Sequence, residues 1–270
     1  MISLEGECNM LKYLMKYDLK KMTKLLIYLY PITIALAGIT RLINIGKDIQ
    51  VISIIGSVFA SLTYTLIANI LVNTIIAIIL SFTTSFYKDQ SYLTHTLPVK
   101  KEKLLLSMYL SALVVIFASV AISVASLFIV LYTKEFAAGF MALINQSVVG
   151  LNMSAGGFIA LLAFVIFSQI CAMMSFGFTS IVKGYSYNKK RGLKGFVWFL
   201  CFYFGSMMAT VLVAVISTAI SGNLSNLFAT TLNSTTFITI LVVALVMYIL
   251  YAILFYFICQ YEFKKGVNVD

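Results

Sequence analysis

The 270-residue chain contains one histidine, His95, and four cysteines, Cys8, Cys171, Cys201 and Cys259. A zinc site needs His, Cys or carboxylate ligands at short spacing, and a redox dithiol needs a C-x-x-C pair. Neither pattern occurs. Three of the cysteines fall in or at the ends of apolar runs, where they read as packing residues. The loop that cradles ATP phosphates requires G-x-x-x-x-G-K-[ST]. The one Gly-Lys pair, Gly46-Lys47, continues to Asp48 and lacks the upstream glycine. No catalytic constellation emerges, so the chain is not expected to be an enzyme, and it is expected to hold no metal or cofactor.

Uncharged polarity, by contrast, recurs at helical spacing. Ser53, Ser57, Ser61, Thr65, Asn69 and Asn73 stand four residues apart. On an ideal helix such a stripe drifts by about 40° per step. It has two readings. Small residues and Asn amides suit helix–helix packing, and the same groups suit the polar lining of a substrate path. A second group, Phe196, Trp198, Phe199, Phe202, Tyr203 and Phe204, reads either as an interfacial aromatic belt or as a vestibule for an amphipathic substrate. Gly205 and Ala209 follow as a small-x-x-x-small pair, expected at a helix contact. Ser168 and Gln169 are expected to make packing hydrogen bonds.

The elements that carry these residues are helices in a membrane. Apolar residues make up 61% of the chain and charged residues 10%, against roughly 25% charged in soluble domains. Apolar runs of about 20 residues or more are long enough to cross a bilayer. They define an all-α, polytopic protein with a single transmembrane domain over 1–270. The six spans lie at about 25–42, 51–85, 104–132, 158–182, 195–220 and 237–259. The first run is followed by further spans rather than a soluble mature domain, so it is not a cleavable signal peptide. Arg41 stands at the end of the first span, and no Asp, Glu, Lys or His lies within any of them. Proton- and ion-coupled carriers usually bury such groups as relays, so that class is disfavoured.

Between the spans, 10–24 reads as a basic amphipathic helix. Lys12, Lys16, Lys20, Thr23 and Lys24 share one side, and Met10, Leu11, Leu14, Tyr17 and Met22 the other, with Asp18 and Lys21 as exceptions. Such a helix is expected to lie in an anionic interface. The segment 133–157 reads as another interfacial helix. The segment 221–236 carries no charge and is either a re-entrant element or a neutral outer loop.

The net charge of +10 does not point to nucleic acid, because the cations flank the spans. Of 19 Lys and Arg, all but Arg41, Lys47 and Lys134 fall in 12–24, 88–103, 183–194 and 264–265. The positive-inside rule then places both termini in the cytoplasm, in a multi-pass protein of the plasma membrane.

The stretch Tyr87-Lys-Asp-Gln-Ser-Tyr-Leu-Thr-His-Thr-Leu-Pro-Val-Lys-Lys-Glu-Lys-Leu-Leu-Leu-Ser107, in the loop 86–103, resembles the "YLTxTLPV" loop of permeases from low-GC Gram-positive bacteria. With the elbow helix 10–24, six spans and a short element before the last, the order resembles the membrane subunit of an ABC-2 type ABC exporter. The resemblance implies a cytoplasmic coupling helix formed by Asp89, Gln90, Ser91, Tyr92, Leu93, Thr94, His95 and Leu97. It would dock on a separate ATPase subunit that holds ATP and Mg. It also implies that spans 2 and 5 line the path, which puts Ser57, Ser61, Thr65, Asn69 and Asn73 near the substrate, with Phe199, Phe202, Tyr203 and Met207. Six spans make half a transporter, so a second copy or a paralogue is expected. Similar permeases export amphipathic peptides such as phenol-soluble modulins or lantibiotics, and a peptide cargo is the expectation here. A lipid or drug exporter and a self-sufficient secondary carrier are the alternatives.

Overall fold

A computed structural model describes residues 4–45, 50–88, 90–96, 99–131, 134–148, 153–187, 189–222 and 234–265. Every regular element among them is α-helical: α1 (Leu4–Ile45), α2 (Gln50–Phe86), α3 (Ser91–Thr96), α4 (Lys101–Leu131), α5 (Lys134–Val148), α6 (Ala155–Tyr185), α7 (Arg191–Ile220) and α8 (Ser234–Lys264). Six of these are long and apolar enough to cross a membrane: Leu26–Ile45 within α1, then α2, α4, α6, α7 and most of α8. The chain is therefore a multi-pass membrane protein by length and composition. Most of the segment 221–236 lies outside the described residues, including its re-entrant or loop alternatives.

The expected elbow and first span are one element. α1 runs for 42 residues through Lys24 and Leu25 without a break, with Pro31 inside it. At ~1.5 Å per residue it is about 63 Å long, twice the ~30 Å hydrocarbon core of a bilayer. Proline removes one backbone donor, and here the flanking turns hold. Neither glycine nor a helix-stopping pattern occurs around Lys24, so nothing in the local chain ends the helix there.

The chain forms two compact units, 1–136 and 137–270. In the first, α1, α2 and α4 pack on one another. Met22, Leu26, Ile70, Phe82, Leu105 and Met108 are fully buried among them. Lipid tails are as apolar as leucine, so burial alone gives little drive in a bilayer, and hydroxyl contacts fix the register. Thr40 and Thr63 meet at 2.8 Å, and Ser119 meets both Thr74 and Tyr30 at 2.7 Å. Each such contact contributes about 0.6 kcal/mol. Arg41, at the end of the first span, donates from Nη1 to the Ile129 carbonyl at 3.1 Å, tying the far end of α1 to α4.

In the second unit α6 packs on both α7 and α8. Thr179 donates to the Phe255 carbonyl at 2.9 Å, and Tyr251 to the Ser206 carbonyl at 3.1 Å. Phe255 receives Phe176 edge-on at 4.6 Å and Phe202 at 4.9 Å. The segment expected as an interfacial helix is α5, and its Ile144 packs with Phe158, Leu162 and Phe237. Cys259 is buried, as a packing residue is, whereas Cys201 is exposed.

The small-residue contact falls elsewhere than expected. A Cβ on Gly205 would meet nothing within 4 Å, so Gly205 does not mark a tight crossing within its unit. The close approach is between Gly184, at the end of α6, and Gly195, in the first turns of α7. A Cβ on Gly184 would lie 2.6 Å from the Gly195 Cα.

Candidate functional site: the α2–α3–α4 corner

The polar loop between α2 and α4 contains a helix where one was expected. α3 covers Ser91–Thr96, six residues. Gln90 links it to the end of α2, its N–H donating to the Thr84 carbonyl at 3.2 Å. The Gln90 carbonyl in turn accepts from the Thr94 N–H at 3.0 Å and from the Thr94 hydroxyl at 2.9 Å. Ser91 is buried, at 5% exposure, while Tyr92 is 76% exposed. α3 thus stands on Ser91 and presents an aromatic ring outward. Asp89, Leu97 and the side chains of Leu93 and His95 lie outside the described residues.

What holds this corner is a pair of charges on α1. Lys21 Nζ donates to Ser85 Oγ and Gln90 Oε1, both at 2.7 Å, and to the Ser81 carbonyl at 3.3 Å. Asp18 accepts from Ser107 Oγ at 2.7 Å, and Ser111 donates to the Met15 carbonyl at 3.3 Å. Lys21 therefore fastens α1 to α2 and to the start of α3, and Asp18 fastens α1 to α4. Both residues were visible in the sequence as the two exceptions on the apolar side of 10–24. They are exceptions because the part of that side they occupy meets α2 and α4.

Burial pushes the Asp18 carboxyl above its ordinary value of 3.8, against the opposing pulls of the Ser107 hydrogen bond and the Lys21 charge. The folded state therefore binds the Asp18 proton more tightly than the unfolded chain does. The stability this contributes is complete below 3.8 and is lost as pH rises through the higher folded value. Asp18→Asn keeps an acceptor for Ser107 and removes the charge. Melting curves should show wild type losing ground to the variant as pH rises from acid to neutral. A wild-type advantage that grows with pH would contradict this picture.

The polar stripe of α2 does not pack inside its unit. The buried face of α2 runs through Gly56, Thr63, Ile67, Ile70, Thr74 and Ile78. Ser57, Ser61, Thr65 and Asn69 are exposed, and Asn73 is half-buried. The hydroxyls bond back to their own helix, Ser57 to the Ile54 carbonyl, Ser61 to Val58 and Thr65 to Ser61, at 2.7–2.8 Å. Asn73 donates to the Asn69 carbonyl at 2.9 Å.

The aromatic group of α7 divides. Lys183 lies over Trp198 at 4.1 Å and over Phe202 at 5.5 Å, which sets a cation against the ring belt at the α6–α7 end. Phe202 packs inward on Phe255. Phe199 stacks with Tyr203 at 6.3 Å. Tyr203 and Met207 line a cavity of about 200 Å³ among α6, α7 and α8, together with Gln169, Met173, Phe176 and Tyr248. Gln169 thus faces a cavity, and of the α7 residues expected along the substrate path Tyr203 and Met207 share it.

No family model matches this sequence, and neither a curated protein nor a solved structure matches it.

Proposed function

We propose that this chain is the membrane subunit of an ATP-driven exporter of the ABC-2 type, working in a dimer with a second copy or a paralogue. One observation carries the reading: α3 projects Tyr92 outward from a corner braced on α1, α2 and α4. A short braced helix with an exposed aromatic anchor suits the groove of a partner protein, and Lys88, Lys100 and Lys101, all exposed, suit an acidic rim around it. ATP and Mg belong to that partner, a nucleotide-binding ATPase subunit, since this chain has no phosphate-binding loop of the Gly-Lys type. In this reading α3 and both termini are cytoplasmic and the membrane is the plasma membrane, as the distribution of Lys and Arg supports.

The exposed stripe from Ser57 to Asn73 supports a dimer. Its amides and hydroxyls face outward at membrane depth, where a second protein surface or a water-lined path suits them better than lipid. The cargo in this reading is an amphipathic or apolar peptide. The cavity beside Tyr203 and Met207, about 200 Å³, is below the ~300–1,000 Å³ of sites that enclose a whole small ligand. It suits one side chain of an extended cargo, and methionines let it adapt to several.

The test is transport by the chain reconstituted in vesicles with and without its ATPase. Peptide flux is expected only with the ATPase and ATP. Flux driven by an ion gradient through the chain alone would overturn the proposal in favour of a secondary carrier. Tyr92→Ala should weaken binding of the ATPase subunit about 30-fold, the size of a central aromatic hot spot. A variant that inserts normally and binds its ATPase unchanged would show that α3 is not the docking element.

A further inference from the structure

A groove of about 470 Å³ runs between α1 and α2, on the face of the first unit that carries the Lys21 brace. Its walls are Met22, Tyr28, Ile76, Ala77 and Leu80, and Lys21 and Lys24 stand at one end with Ser81 and Thr84. The helices run antiparallel there, since Lys21 meets Ser85 while Thr40 meets Thr63. The apolar walls therefore lie toward the membrane interior and the cations at its boundary. Lys24 sits two residues before the span that begins at Leu26. Lys21 is committed to Ser81, Ser85 and Gln90. Lys24 is exposed, and Lys20, one turn earlier on α1, is exposed as well.

We propose that this groove binds one anionic phospholipid, an acyl chain lying against Tyr28, Ile76 and Ala77 and the phosphate on Lys24. This inference stands on the membrane-spanning helices and does not rest on the exporter reading. The apolar walls do not select a lipid, because one acyl chain leaves other acyl chains to reach them. Selection comes from the charged end. A lysine near an anionic lipid surface is worth about a fivefold preference. The wall residues Tyr28, Ile76 and Leu80 are well exposed, so the groove opens sideways, the direction from which a lipid enters. Its charged end adjoins the Lys21 contacts that hold Gln90, so the occupant sits beside the brace of α3.

The test uses the full chain in nanodiscs of mixed phosphatidylglycerol and phosphatidylcholine, with retained lipid counted by native mass spectrometry. Wild type should keep phosphatidylglycerol in preference to phosphatidylcholine. Lys24→Gln should lower that preference about fivefold, and Lys189→Gln, at an exposed lysine of the other unit, should leave it unchanged. Ala77→Trp, which fills the groove, should reduce the retained lipid. Equal retention of the two lipids by wild type, or equal effects of Lys24→Gln and Lys189→Gln, would overturn the proposal. So would displacement of the lipid by an amphipathic peptide at an unchanged level in Lys24→Gln, which would assign the groove to peptide.

Discussion

Gly184→Ala is expected to prevent the α6–α7 hairpin from closing, whereas Gly195→Ala, eleven residues on, is expected to be tolerated. The added methyl at 184 would lie 2.6 Å from the Gly195 Cα, 2.7 Å from the Gly195 nitrogen and 2.8 Å from the Arg191 carbonyl oxygen. All three are backbone atoms of the first turns of α7, and no side-chain rotation relieves them. α7 would have to move as a body. That movement would pull Trp198 from Lys183 and Phe202 from Phe255. Overpacking against movable side chains costs about 1–3 kcal/mol, and more where nothing yields. The expected loss is therefore about 3 kcal/mol or more, read as a large drop in melting temperature or in membrane-inserted yield. The methyl at 195 would meet its nearest neighbour, the Ser180 carbonyl, at 3.3 Å. That neighbour is backbone too, but a shift of only a few tenths of an ångström relieves it, so the low end of the overpacking cost, about 1 kcal/mol, is expected. Equal effects of the two substitutions would mean that the two helices do not meet in this register.

Lys21→Met should release α3 while leaving the spans in place. Methionine keeps much of the apolar stem but donates nothing to Ser85, Gln90 or the Ser81 carbonyl. Hydrogen bonds to a charged group contribute about 1.5–3 kcal/mol each, and bonds sharing one donor group do not add in full. A local loss of about 2–3 kcal/mol corresponds to faster hydrogen exchange by about 30- to 150-fold at Ser91 and Thr94. Their N–H groups are bonded to Lys88 and Gln90. Amides in the middle of α4 should keep their protection, since α4 is held to α1 through Asp18 and Ser107. If exchange in α3 were unchanged, Lys21 would not be its brace.

The spans were legible because bilayer thickness imposes a length and lipid imposes a composition, and both are local properties of the chain. α2, α4, α6, α7 and α8 begin and end within about five residues of the expected limits. The continuity of α1 was not legible. An amphipathic surface helix and an apolar span share one period, and nothing between Thr23 and Leu26 signals a stop. A helix at the position of α3 was implied by the resemblance of the loop 86–103 to a permease loop, but its anchorage was not. Lys21 lies 64 residues from Ser85 and 69 from Gln90, beyond any local spacing rule. What the sequence did offer was the misplacement of Asp18 and Lys21 on an apolar face, the trace of a partner in the fold. The Gly184–Gly195 approach left no such trace, since a glycine that ends a helix and a glycine that admits a neighbour look alike. Gly205-x-x-x-Ala209 matched the packing motif, yet a Cβ on Gly205 would meet nothing within 4 Å in its unit.

The central claim is that α3 is the docking element for an ATP-hydrolysing partner. The most direct measurement is photo-crosslinking in the native cells, with Tyr92 replaced by a photoreactive phenylalanine derivative. The expected product joins this chain to a protein that binds and hydrolyses ATP, and it should weaken when Lys21→Met is added. A correctly inserted chain that crosslinks at this position only to lipid, or only to another copy of itself, would contradict the claim.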